Sequence, residues 1–151
     1  MRPPVDAAQA VIAGRVRALA LAIIRRGDEL LVFEVPDPVR KVTGFRPPGG
    51  SIEFGETGAA AVVREIREEL GLEIVDPRYL GTVENIYEWL GRPGHELVRL
   101  YAARFADAAA YERDSFECIE VTGGNFTCIW KPLADFAREP LYPSGLRELL
   151  V

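Results

Sequence analysis

Residues 50–72 read GSIEFGETGAAAVVREIREELGL, and this stretch decides the reading of the chain. At about 100° per residue, Ala59, Val63, Ile66 and Leu70 fall on one apolar stripe, while Glu65, Glu68 and Glu69 gather on the side turned away from it. Thr57 offers an N-cap oxygen, Ala59, Ala60 and Ala61 are strong helix formers, and Gly71 suits a left-handed C-terminal cap. The spacing predicts a helix over residues 58–70, entered from a glycine-rich loop.

A single glutamate on such a face is an ordinary solvated residue; three together are not. Like charges three and four residues apart cost a few tenths of a kcal/mol per pair, and Arg64 and Arg67 are expected on the flanks rather than between the acids. A hard divalent cation such as Mg²⁺ or Mn²⁺ reverses the sign of that cost, because it prefers carboxylate and carbonyl oxygens. Gly49, Gly50 and Gly55 let the backbone approach closely, so that its carbonyls can add ligands.

Gly50, Glu56, Arg64, Glu65, Ile66, Glu68, Glu69, Gly71 and Leu72 occupy a fixed pattern: Gly, five residues, Glu, seven residues, Arg-Glu, an aliphatic, any residue, Glu-Glu, any residue, Gly, an aliphatic. In this the segment resembles the signature of the Nudix hydrolases, with every specified position filled. The lead-in Phe45-Arg46-Pro47-Pro48-Gly49 is also similar, although the family more often has Trp and a single proline there. The resemblance implies an α/β/α sandwich with a mixed, partly antiparallel sheet, and metal-dependent hydrolysis of a phosphoanhydride in a nucleoside diphosphate linked to another group. It implies that Glu65, Glu68 and Glu69 hold Mg²⁺ (or Mn²⁺), with the carbonyl of Gly49 or Gly50 as a further ligand. Arg64 would orient a helix glutamate. Glu56 would support the loop or the outer metal shell, or else simply meet the positive end of the helix dipole. For the general base, Glu65 is one candidate; among the later acids Glu112, Glu117 and Glu120, the choice falls on Glu120. Arg46, Glu56 and Tyr87 are candidate substrate contacts, Tyr87 because dinucleoside polyphosphate hydrolases of the family carry a tyrosine in this stretch. A nucleotide-binding sensor that does not hydrolyse is the alternative, although such proteins usually lose a metal glutamate.

With 151 residues, 48% of them apolar, the chain suits one catalytic domain over 15–151 after a loose N-terminal arm over 1–14. Strands are expected over 16–24 and 29–35 around a Gly27-Asp28 turn, then over 80–89, 96–105, 116–121 and 126–131, the last two joined by Thr122-Gly123-Gly124-Asn125. Short helices are expected over 133–137 and 144–150, the latter capped by Ser144. Phe45, Tyr87, Trp89 and Tyr101 read as core residues that could alternatively stack on a base.

A net charge of −5 argues against a long nucleic-acid footprint and fits a small nucleotide brought in by bound cations. The apolar run 18–24 is too short to cross a bilayer, so no membrane partner is expected, and a cytoplasmic protein is the default. A homodimer is compatible with the resemblance. Cys118 and Cys128 flank the proposed hairpin turn, close enough to meet across it, and are read as free thiols. His95 is expected to begin a strand rather than to bind metal.

Overall fold

A computed structural model describes residues 14–120 and 124–150, so all but Gly14 of the arm expected over 1–14, residues 121–123 and Val151 lie outside the described residues. The chain runs β1 (Val16–Ile23), β2 (Arg25–Arg26), β3 (Glu29–Asp37), β4 (Val42–Arg46), β5 (Gly49–Ser51), α1 (Gly58–Leu70), β6 (Ile74–Trp89) and β7 (Arg92–Phe105). A 3₁₀ turn (Ala108–Glu112) precedes β8 (Ser115–Glu120) and β9 (Gly124–Pro132); a second (Leu133–Ala137) precedes the short α2 (Leu146–Leu149). This is a mixed α/β single domain.

The apolar run ALALAII of β1 is explained by burial on both faces. Ala20 and Ala22, with Ile24 just beyond, enter one core beneath α1; Leu19, Leu21 and Ile23 enter a second core with Phe136 and Leu146. One sheet has the order β5-β1-β7-β6, with β1 parallel to β7 and the other pairs antiparallel. The other has the order β2-β3-β9-β8, with β4 added beside β3. The expected strand over 16–24 therefore does not pair across the Gly27-Asp28 turn. The chain changes sheets at Ile24, and the turn joins β2 to β3 instead.

Around the signature, the glycine-rich approach is itself sheet: β4 and β5 form where proline and glycine suggested only loop. Gly49 has φ 151°, and a Cβ there would lie 2.1 Å from the carbonyl oxygen of Ala20, so only glycine lets this segment pair with β1. The strand expected over 80–89 begins at Ile74, interrupted by a bulge between Val75 and Arg78 where Asp76 has positive φ. The strand expected over 96–105 begins at Arg92 and contains His95, whose ring meets the exposed Glu84.

The helix has the expected bounds and caps. Thr57 Oγ1 accepts from the amide of Ala60, and Gly71 closes the C-terminus at φ 68°. Its buried face differs, however: Gly58, Ala61, Val62, Ile66 and Leu70 are buried, while Ala59 and Val63 sit at the margin. The cause is the close approach of Gly58 to β7, where a Cβ would lie 2.2 Å from the Tyr101 hydroxyl. This rotation brings Glu65 and Glu69, neighbours of Val62 and Ile66, to the edge of the core instead of turning them away from it. Ile66 anchors the packing, and truncating it to alanine would cost about 2–5 kcal/mol.

At the C-terminus, the expected helix over 133–137 is the second 3₁₀ turn. The helix expected over 144–150 covers only Leu146–Leu149 and starts from Gly145, with no side-chain cap from Ser144.

Candidate active site

Arg64 organises the junction of loop and helix. Its Nε and Nη2 donate to Glu56 Oε2 and Oε1 at 2.8 and 2.9 Å, and Nη2 also donates to the Ser51 carbonyl at 2.9 Å. Its Nη1 reaches Glu65 Oε1 at 3.1 Å and Glu68 Oε2 at 3.2 Å. Arg64 thus lies between the acids, contrary to the flanking position expected from helical spacing alone. Its long side chain folds back along the helix because Glu56 and the loop carbonyl present a matching planar set of acceptors. Arg67, by contrast, does leave the group and pairs with Glu73. The paired guanidinium holds the Glu56 carboxyl at about 2, and Glu56 in turn raises Arg64 above its ordinary range.

Glu65 presses its carboxyl on Gly50. A Cβ on Gly50 would stand 2.4 Å from the Glu65 carboxyl carbon, so the absent side chain is what leaves room for it. Burial pushes the Glu65 carboxyl up, against the opposing charge of Arg64. Glu69 lies deeper: burial raises it well above the usual carboxylate range, and the charge of Glu65, hydrogen bonding to Glu65, and the proximity of Cys118 and Glu120 act the same way. Glu65 and Glu69 therefore form a hydrogen-bonded carboxyl pair in which a second negative charge is disfavoured. Glu68 stays at the surface, its side chain 39% exposed. Among the described residues, no three His, Cys, Asp or Glu side chains are grouped so as to hold a metal ion.

Of the later acids, Glu120 is on the same face of β8 as the buried Phe116 and Cys118 and is felt at Glu69. Glu117 is on the opposite, exposed face opposite Thr127, and Glu112 is exposed in the first 3₁₀ turn.

Arg46 and Tyr87 are elsewhere, on the second core's side of the sheet. Arg46 directs its guanidinium to Glu96, at 3.0 Å to Oε2 and 3.5 Å to Oε1. Glu96 is fully buried and also accepts from Asn85 Nδ2 at 3.1 Å. This cluster escaped the reading of the sequence, although alternation along β7 groups Glu96 with Val98 and Leu100 and so marks it as an inward-facing acid. Phe45 and Tyr101 are core residues as expected. Tyr87 and Trp89 are only half-buried, and their hydroxyl and indole N–H are buried without hydrogen-bond partners among the described residues.

The family model for the NUDIX domain matches residues 14–149. The chain is a Nudix hydrolase. It is 31% identical over 121 residues to a Mycobacterium tuberculosis protein provisionally named 8-oxo-dGTP diphosphatase 2, covering 76% of this chain and 84% of that one. It is 35% identical over 68 residues to the NAD-capped RNA hydrolase NudC of Pseudomonas aeruginosa, covering 45% of this chain but only 24% of that relative. Among solved structures, a MutT NUDIX hydrolase from Burkholderia pseudomallei superposes with a TM-score of 0.63 at 26% identity, covering 90% of this chain and 96% of that one. An Ap4A hydrolase of C. elegans shares the fold, with a TM-score of 0.55 at 20% identity over 90% of this chain and 94% of that one. As a Nudix hydrolase the chain is a pyrophosphohydrolase acting on phosphorus-containing acid anhydrides. No helix among the described residues is long and apolar enough to cross a membrane.

Proposed function

We propose that this Nudix hydrolase cleaves a phosphoanhydride bond of a small nucleotide with the help of Mg²⁺ or Mn²⁺, releasing a nucleoside monophosphate with phospho-X, or pyrophosphate when the substrate is a nucleoside triphosphate. The observation that carries this reading is the Glu65–Glu69 carboxyl pair on Gly50. Two half-buried acids side by side are unfavourable when both are ionised, and a hard cation supplies the counter-charge they lack. The donor set is all oxygen, and Gly50 leaves the backbone uncovered beside it. Glu65 and Glu69 would hold the ion, with the carbonyl of Gly49 or Gly50, and Glu68, which Arg64 holds at the surface, would complete the set by turning inward. When bound, the ion neutralises phosphate oxygens and makes a water molecule more acidic.

The protein's own groups have separate tasks. Arg64 fixes Glu56 and the Ser51 carbonyl, so that loop and helix keep one spacing, and it restrains Glu65 and Glu68 from the side. Glu120, projecting from β8 toward Glu69, accepts the proton of the attacking water. Arg46, paired with Glu96, ties β4 to β7 rather than meeting phosphate. Deoxynucleoside triphosphates with an oxidised purine are our first candidates for the substrate, a reading that the similarity to the M. tuberculosis protein supports, with dinucleoside polyphosphates next. We also place the enzyme in the cytoplasm.

The test is a panel of dGTP, 8-oxo-dGTP, a dinucleoside tetraphosphate and NAD, each with Mg²⁺ and with EDTA, read by release of phosphate, pyrophosphate and nucleoside monophosphate. Mg²⁺-dependent turnover of at least one is expected. Nucleotide binding without turnover on any of them would favour the sensor reading.

A further inference from the structure

Cys118 and Cys128 have no part in the chemistry above, yet their sulfurs are 3.5 Å apart. They project from adjacent strands onto one face, each diagonal to the other: Cys118 is opposite Phe126, and Cys128 is opposite Phe116. Both are free thiols, fully buried in the core that α1 covers. A disulfide needs the sulfurs at about 2.05 Å, so closing the pair requires only that the side chains and strands move together by a short step. Among the described strands β8 is the terminal one of its sheet, and an edge strand opens locally more readily than the strands inside it, which admits a small oxidant. The same strand carries Glu120 and packs against α1, which carries Glu69.

We propose that Cys118 and Cys128 are an oxidisable pair that a peroxide converts to an intramolecular disulfide, and that the closed pair slows hydrolysis by shifting β8 beneath Glu69. The chemistry balances as two thiols and one hydrogen peroxide giving one disulfide and two waters. The thiolate of one cysteine attacks a peroxide oxygen, the O–O bond breaks, and the departing hydroxide takes up a proton to leave as water. The second cysteine then attacks the resulting sulfenic sulfur, the S–O bond breaks with a second water leaving, and the S–S bond forms. Two electrons pass from the sulfurs to peroxide. Dithiol reductants reverse the bond.

The experiment treats the reduced, full-length chain with hydrogen peroxide, blocks residual thiols and digests without reductant. Mass spectrometry is expected to find the peptides containing Cys118 and Cys128 joined, with a mass lower by two hydrogens and restored by dithiothreitol. The oxidised protein is expected to hydrolyse its nucleotide roughly fivefold or more slowly and to recover on reduction, whereas Cys118→Ser and Cys128→Ser keep their rates through the same treatment. Amide exchange in α1 and β8 is expected to change on oxidation in the wild type alone. Two surviving free thiols, or only sulfinic and sulfonic acids, under conditions that oxidise a free cysteine peptide would overturn the disulfide. A joined pair with unchanged rate and unchanged exchange in α1 would overturn its link to the site. The rate arm rests on the hydrolase reading; if no nucleotide is turned over, the mass and exchange arms still decide the proposal.

Discussion

Glu69 sits where helix packing and surface charge conflict. Its carboxyl is raised chiefly by burial, so the folded protein retains a proton there at a pH where the unfolded chain has lost it. The sign follows from linkage: stability attached to this group is fully present below the ordinary carboxylate pKa and is lost as pH rises through the higher folded value. Glu69→Gln removes that loss. The metal-free variant is therefore expected to be at least as stable as the wild type at pH 8 in thermal melts, while its Mg²⁺-dependent rate falls by more than roughly 100-fold, since even groups that merely support metal ligands typically matter 10–100-fold. A variant that melts well below the wild type and keeps its rate would contradict both halves. Glu56 behaves oppositely. Held at about 2 by Arg64, its contribution is complete above the ordinary carboxylate pKa and disappears as pH falls from about 4.5 toward 2. Glu56→Gln should thus differ from the wild type in urea melts at pH 6 and converge with it near pH 2. A constant difference across that range would mean that Glu56 acts by packing instead of by charge.

At the scale of elements, the loop and the helix are matched by one missing methyl group. Gly50→Ala places a Cβ on the Glu65 carboxyl, and the clash is with the functional side chain rather than with the core. The rate is expected to fall by at least roughly tenfold, because displacement of a reacting group by about 1 Å can cost 100-fold, with the circular dichroism spectrum unchanged. Retention of the full rate would show that Glu65 does not need its place over Gly50. Much of this helix was legible from the residues: Thr57, the alanines and Gly71 specify local contacts, and local contacts are what sequence spacing encodes. Its rotation was not legible, because that depends on Gly58 meeting Tyr101, a residue far along the chain. For the same reason Arg64 was expected on a flank; nothing local says that a loop carbonyl and Glu56 will be waiting for it. β4 and β5 were hidden by Pro47, Pro48 and the glycines, which normally mark turns, whereas here Gly49 permits a close strand pairing. The division into two sheets turned on a single residue, Ile24, whose apolar side chain gives no sign that the backbone changes partners there.

Across the whole molecule, β1 is the common wall of two cores, so stability is shared by both sheets while the carboxyl pair sits at the rim of one of them. A cation bound at that rim stabilises the entire domain, because ion binding to the folded state alone shifts the unfolding equilibrium by mass action. Glu65 and Glu69 are both raised above the usual carboxylate range, so the ion competes with protons for them. The gain on adding metal should consequently grow with pH. With Mg²⁺ at about 100 times its dissociation constant the stabilisation is about 2.7 kcal/mol, and at this chain length that corresponds to roughly 5–10 °C in Tm. The expected outcome is a Mg²⁺-induced rise in Tm of that size at pH 8, a smaller one at pH 5.5, and none in Glu65→Gln/Glu69→Gln at either pH. Calcium or zinc can be compared in the same melts to rank the ions. A shift of equal size at both pH values, or one that survives in the double variant, would place the ion away from these carboxyls and leave their closeness unexplained by metal binding.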